Sequence, residues 1–501
     1  MLVRRALRPI LAIVVGLTLT TRGAQPQHPG RPLADDVAKA MGGGDKILAV
    51  KTLTLDGAGE NFNLGQNASP YAPLRVYGIT EYHRAFDFSG KRWRQEQTRT
   101  PRFITPNTAP QRQRIGFDGV AYDIAPDDKA ARVAGRADIE RADELIYHPV
   151  GFLQAALAQG TELTEEPPMN GLRSLRMSVG GEKYGMMVDP YSKLPVTIQR
   201  IVHHPMMGDA LLETRLTDWR EAGGIKLPMQ ITQRLDGRWM LSSIRLGAAH
   251  VNRDAGDLAA PADVRSAPPV VPAIIVNTQE IAPGVWYLTG QTHHSVVIEM
   301  RDHLLLVEAP QGDARTLAVI RKARELRPGK PLRAVINTHH HFDHAGGIRT
   351  AISEGLTIIT QSKNFGFYRE LAGKHFFIVP DALAESGKRP RFEMVNSKRV
   401  LTDGSRNVEI HQVRGSPEAA TQLVVYLPAE KLLIEADSYN PPAATVAVPP
   451  RAVFAPALVA NIDRLKLSVD RIVPLHGQIV PISELRAAAE ASRAPVAATK
   501  P

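Results

Sequence analysis

Cysteine is absent from all 501 residues. No disulfide can staple the fold, and thiolate is struck from the possible nucleophiles and metal ligands. A membrane-spanning helix needs ~20 consecutive apolar residues, and the N-terminal run from Pro9 to Leu19 falls well short of that. Arg4, Arg5 and Arg8 precede the run, and small or polar residues follow it from Thr20 to Ala24. Residues 1–24 therefore read as an export signal, with an uncleaved membrane-proximal anchor as the alternative. The mature chain is expected in the periplasm or outside the cell, with no stable membrane insertion. A basic block is missing too. The net charge of +10 is scattered along the chain, which suits a solvated surface and argues against a nucleic-acid partner.

What is present fits a soluble globular protein of more than one domain. The chain is 43% hydrophobic and 22% charged, both ordinary values, and it is too long for a single core. The stretch AGDLAAPADVRSAPPVVPA, 255–273, holds four prolines and little periodicity, as a linker would. It separates an N-terminal part, 33–254, from a C-terminal part, 274–490, and an Ala/Pro-rich tail at 491–501 is expected to be flexible. The N-terminal part opens with a helix-like segment, LADDVAKAMGG, and then turns strand-rich. Asp236-Gly237 between two strand-like runs is a hairpin signal. A mostly antiparallel β domain with one or two helices follows, and the order of its segments resembles the curved sheets of periplasmic lipoprotein carriers. His203 and His204, before Pro205 and Met206, are expected to play a structural part in a turn. The C-terminal part interleaves helices with buried strands, which predicts a layered α/β sandwich.

Within it lies NTHHHFDHAGG, 337–347, straight after the apolar strand LRAVIN. In extended chain, residues two apart face the same way, so His339 and His341 are placed to hold one metal together. His340 points elsewhere, into packing or a hydrogen bond. Asp343 and His344, where the chain turns into a helix, can address a second metal. Burying four imidazoles without partners would be costly, and imidazole with carboxylate is a donor set that zinc favours.

The pattern His339-x-His341-x-Asp343-His344 resembles the signature of the metallo-β-lactamase-fold hydrolases. The resemblance covers 274–490 and implies an αβ/βα four-layer sandwich with one or two ions, zinc first and iron or manganese next. It also implies Asp437, at the end of KLLIEAD, as the carboxylate shared between metals, and His476, at the end of RIVPLHG, as a ligand of the second. Where the family has a further histidine, ten residues before Pro428, this chain has Glu418; His411 lies seven residues earlier. Either Glu418 completes the first metal site or that site is weakened. A carboxylate there adds negative charge, which is expected to make the first ion a poorer Lewis acid. In the GQTHHSVVIE loop, His294 is assigned to substrate contact.

The resemblance implies a metal-dependent hydrolase that uses a metal-activated water, with Asp343 both ligating and orienting the nucleophile. A small-molecule ester, lactone, β-lactam-like amide, thioester or phosphodiester is the expected substrate class. A catalytically weakened relative, or a cell-envelope ligand-binding protein acting through its N-terminal domain, is the competing reading.

Overall fold

The computed structural model describes residues 29–133, 136–271, 273–442 and 451–493. The expected export segment and most of the expected tail lie outside them. Among the described residues no helix is long and apolar enough to cross a membrane.

Thirteen antiparallel strands between Thr52 and Val251 make one continuous sheet. Its first strand, Thr52–Asn63, pairs with its last, Trp239–Val251, in the middle of the sheet. The Asp236-Gly237 turn joins Ile225–Leu235 to Trp239–Val251 with both residues at positive φ, 51° and 62°. They are the central pair of a tight turn closed by the Arg238 amide on the Leu235 carbonyl at 3.2 Å, a backbone that suits the twist of paired strands. Helices are more numerous than the expected one or two: Arg31–Ala40, Gly44–Leu48, Ala137–Asp143 and Pro149–Leu157 all precede or interrupt the strands. Pro149–Leu157, PVGFLQAAL, is buried along nearly its whole length. A helix enclosed on most sides carries no polar stripe, so the 3.6-residue pattern that would announce it is absent.

Within the Pro/Ala-rich stretch, residues 258–267 are docked against the end strands of the sheet. Leu258, Ala260 and Val264 are buried, and the last two pack on Val120 and Tyr122. Tyr122 Oη donates to the Leu258 carbonyl at 3.2 Å, and Arg265 pairs with Asp118. Three apolar anchors among the prolines are enough to tie this segment down.

From Asn277 onward the chain builds two further sheets. The first has seven strands in chain order, antiparallel from Asn277 to Val307 and parallel from there to Val395. The second has six, from Lys398 to Pro481. Their facing sides share one core, with Val296, Ile298, Leu305 and Val307 from the first and Ile410, Val425 and Ile434 from the second. The alternate residues Val297, Leu304 and Leu306 point outward, under the helices Asp313–Leu326, Ile348–Ser353 and Phe365–Ala372. Ala455–Leu465 and Ile482–Arg493 cover the other sheet. The last of these helices runs past residue 491. Both faces of each sheet are covered, which is why the strands read as unbroken apolar runs. The result is a helix–sheet–sheet–helix sandwich preceded by an antiparallel β domain.

The two halves are packed together. Met206 and Met207, at the tip of the hairpin after His203 and His204, enter the core beneath the first sheet of the sandwich. His204 Nδ1 accepts from the backbone of both methionines at 3.1 Å, and its ring lies against Phe342. The pair thus shapes the turn and its docking.

Leu306 is fully buried between sheet and helices. Leu306→Ala is expected to lower unfolding free energy by ~2–5 kcal/mol in urea titration, while Tyr191→Ala, at a residue 92% exposed, leaves it unchanged within ~0.5 kcal/mol.

Candidate metal centre

The buried parallel strand Leu332–Ile336 runs into Asn337 and Thr338, then the histidines, then the one-turn helix Phe342–Ala345. His339 and His341 turn to the same side, with ring centroids 4.5 Å apart. His340 turns away and meets Thr421 Oγ1 at 3.0 Å. The helix start brings His344 back over His339, with centroids again 4.5 Å apart. From the second sheet, the chain after Leu432–Glu435 places Asp437 between these rings. Its Oδ2 lies 3.0 Å from His344 Nε2 and 3.3 Å from His339 Nε2, and its Oδ1 lies 3.2 Å from His476 Nε2. Asp437 holds a positive φ of 60°, a backbone conformation an aspartate tolerates at some cost.

The outward nitrogens of four rings are already engaged. His339 Nδ1 meets Thr338 Oγ1 at 3.1 Å, His341 Nε2 the Asn67 carbonyl at 3.1 Å, His344 Nδ1 Glu308 Oε2 at 3.1 Å, and His476 Nδ1 the Thr292 carbonyl at 2.9 Å. The Thr338 hydroxyl gives its own proton to Glu308, so it accepts from His339. Carbonyls and carboxylates only accept. Each ring therefore carries a proton on the outward side, and its inward nitrogen is the one free to take a cation, metal ion or second proton. Those nitrogens face one another or carboxylates: His476 Nε2 is 3.0 Å from His344 Nε2, and His341 Nδ1 is 3.2 Å from Glu418 Oε1. His339 Nε2 and His341 Nδ1 are buried with no hydrogen-bond partner. Acceptors at that range repel unless a cation sits among them, so the donor set fits divalent metal ions.

Among the described residues three groups lie within metal-ligating reach; one, Glu308 with His339 and His344, uses a carboxylate already bonded to the outward His344 Nδ1, and the other two face the cavity. His339, His341 and Asp437 form one; His293, Asp343, His344 and His476 form the other. Burial opposes charge on His344, yet the carboxylates of Asp437 and Glu308 on either side raise its pKa well above the ordinary histidine value. Burial likewise opposes charge on Asp343, but its hydrogen bond with His293 and the nearby His344 pull it well below the usual carboxylate range. The carboxylates thus favour positive charge at the inward nitrogen of His344.

Glu418 stands at the rim of this arrangement. It touches His341, but Arg75 from the N-terminal sheet grips the same carboxylate at 3.2 and 3.4 Å. The negative charge expected to weaken the first ion is thereby offset. His411 is committed to Glu409 at 2.8 Å. His294 turns from the cluster and lies against the Tyr287 ring, 4.9 Å between centroids. Its neighbour enters instead: His293 Nε2 is 3.0 Å from Asp343 Oδ2. Successive side chains of an extended loop point to opposite sides, so His293 faces the cluster and His294 faces away from it.

Sequence reasoning also missed Glu308. It ends the buried strand Leu304–Val307 at φ +77° and receives Asn337, Thr338 and His344 on its two oxygens. A lone carboxylate closing a wholly apolar run was the available signal. Glu435 is buried near Asp437; burial, then the Asp437 charge, push its pKa up to about 8.

The Metallo-beta-lactamase superfamily model matches residues 288–355, which include the histidine cluster. A linear primary-alkylsulfatase of Pseudomonas sp. (strain ATCC 19151) is 24% identical over 220 residues, 37% of this chain. The match spans 41% of that relative's length. Among solved structures, DIM-1 metallo-beta-lactamase is 16% identical, with 43% of this chain and 96% of that one covered at a TM-score of 0.33. A metallo-beta-lactamase from Pontibacter korlensis is 18% identical, with 44% and 100% covered at 0.35. FIM-1 from Pseudomonas aeruginosa in its mono-zinc form is 18% identical, with 43% and 94% covered at 0.34.

Chelator-stripped protein is expected to melt at a lower temperature than protein re-loaded with zinc. At free zinc about a hundredfold above Kd, binding is worth ~2.7 kcal/mol per site. Asp437→Ala, which removes the carboxylate lying between the rings, abolishes most of that shift in a thermal melt, and a wild-type Tm indifferent to zinc would count against the centre. The signature cluster, the family match across residues 288–355 and the two-sheet frame that carries them liken the C-terminal half of this chain to the metallo-β-lactamase superfamily.

Proposed function

We propose that this protein is an exported, zinc-dependent hydrolase that cleaves sulfate monoesters of apolar alcohols. The observation that carries the hydrolase reading is the convergence of inward imidazole nitrogens on Asp437 and Asp343. Two features favour the substrate class. The curated relative is named a linear primary-alkylsulfatase. Beside Asp437 lies a pocket of about 400 Å³ whose wall includes Pro106, Tyr439, Pro442, Val453, Phe454 and Ala488, apolar enough for an alkyl chain. The export signal rests on the composition of residues 1–24.

Ions held by His339, His341 and Asp437, and by His293, Asp343, His344 and His476, would supply Lewis acidity toward a water molecule and a substrate oxygen. The chain's own groups do the rest. Asp343 is the most open carboxylate of the cluster, its side chain 37% exposed against 14% for Asp437. It is held from both sides, by Gln66 at 2.8 Å and His293 at 3.0 Å, and so is fixed to orient the attacking water. The apolar pocket holds the organic part and excludes water around it. In the overall reaction the ester and water give the free alcohol and hydrogen sulfate, with no change of oxidation state.

The test is a panel of alkyl sulfates, a β-lactam, a lactone, a thioester and a phosphodiester, with Asp343→Ala as the blank. Alkyl sulfates are expected to be the preferred class, and kcat/KM is expected to rise about fourfold per added methylene, as ~0.8 kcal/mol of burial each would give. Asp343→Ala should cost about 10²–10⁴-fold. Turnover confined to another class, or indifferent to chain length, overturns the substrate assignment.

A further inference from the structure

The strands Thr52–Asn63 and Arg75–Asp87 belong to the N-terminal sheet, but the loop that joins them lies against the metal centre. Gly65 accepts from the Phe342 amide at 3.2 Å, and a Cβ on Gly65 would come within 2.3 Å of the Phe342 ring. Gln66 Nε2 donates to Asp343 Oδ1 at 2.8 Å. The Asn67 carbonyl accepts from His341 Nε2 at 3.1 Å. The Ala68 carbonyl accepts from the Ala420 amide at 2.7 Å. Arg75, where the next strand begins, grips the Glu418 carboxylate and donates to the Pro417 and Glu418 carbonyls at 3.1 and 2.6 Å.

Four consecutive footholds and a fifth at Arg75 are more than packing requires, and two of them fall on residues of the metal-ligating groups. Asp343 has two oxygens. Gln66 takes one, which leaves Oδ2 for the cluster. His341 differs from the other rings: its inward nitrogen is Nδ1, because Nε2 is turned out to the Asn67 carbonyl. That carbonyl is itself held still. The Asn67 side chain is 2% exposed and donates to the Ser69 and Ala72 carbonyls at 2.6 and 3.2 Å, closing the loop on itself. Hydrogen bonds of this kind set ring tautomer and carboxylate orientation, and their loss typically costs about 10–100-fold in metal affinity.

We infer that the 64–75 loop of the N-terminal half is a working part of the metal centre, with Gln66 and Asn67 as positioning residues for Asp343 and His341. The N-terminal domain is therefore needed for tight metal binding. This rests on the metal-centre reading of the C-terminal half and is independent of the substrate.

The experiment is a zinc-affinity titration of full-length, metal-stripped protein against a chromophoric chelator. It compares wild type with Gln66→Ala, Gln66→Met, Asn67→Ala and, as a control in the same loop, Ser69→Ala. Gln66→Met keeps the bulk and removes the donor. Both Gln66 variants are expected to weaken one zinc equivalent by about 10–100-fold, and Asn67→Ala to weaken the other by a similar factor. Ser69→Ala is expected to match wild type. Thermal melts of the metal-free proteins should coincide for wild type and the Gln66 variants, since Gln66 is only half-buried. Wild-type affinity in Gln66→Met overturns the positioning role of Gln66, even where Gln66→Ala is weakened through lost packing. Wild-type affinity in all variants overturns the inference while leaving the metal centre intact. A wild-type protein that binds no zinc overturns the metal-centre reading itself.

Discussion

The centre depends on one electrostatic constraint. Three buried imidazoles and the half-buried His476 have each turned an N–H to an outward acceptor, so that their inward nitrogens and the carboxylates face one another. Such a cavity is unstable when empty of positive charge and stable around a divalent cation. Every other feature of the site serves that constraint. Glu308 takes protons from Asn337, Thr338 and His344 at once, and so ties the end of one strand to the ligand-bearing turn. Thr292, two residues upstream of His294, offers its carbonyl to His476.

The sandwich supplies the rigidity this demands. Ligand-bearing residues come from the ends of strands in two different sheets, and the sheets are locked by a shared apolar core. Strand Leu332–Ile336 delivers the histidines; Leu432–Glu435 delivers Asp437; Arg471–Pro474 delivers His476. Side chains held at the ends of packed strands are placed more accurately than those on free loops. The exception is the Gln66–Asn67 loop, which is immobilised by its own Asn67 hydrogen bonds and by Arg75.

The N-terminal sheet meets the sandwich at the Leu235–Trp239 turn, where Asp236 pairs with Lys374 at 3.0 Å, and at two further places. The Met206–Met207 hairpin tip enters the sandwich's outer core, and the 64–75 loop reaches the cluster. Arg75 also changes the electrostatic meaning of Glu418. Read in sequence, that glutamate adds a negative charge to the first metal position. Beside a guanidinium, it is largely neutralised before any ion arrives. The charge balance at that position is therefore shared between the two halves of the chain.

Much of this could be read from the linear order of residues, for a physical reason. The histidine cluster is local, and its strand-to-helix setting follows from an unbroken apolar run and two glycines. The frame was legible because sheets covered on both faces impose continuous hydrophobic strands, and the Asp236-Gly237 turn because its residues tolerate positive φ. The helix Pro149–Leu157 was not, since enclosure erased its amphipathic period. His293 rather than His294 turned inward because loop register is decided by packing against Tyr287 and the Thr292 carbonyl. Gln66 lies 277 positions from Asp343, Asn67 274 from His341, and Arg75 343 from Glu418. An amide, a carbonyl and a guanidinium are ordinary groups with no signature of their own. Only the approach of one domain to another assigns them partners. The sequence by itself determined which donors exist and in what order; the tertiary structure decided which nitrogen of each ring faces inward, because that choice belongs to acceptors that only folding brings to the rings, from Glu308, 36 positions from His344, to Asn67, 274 from His341.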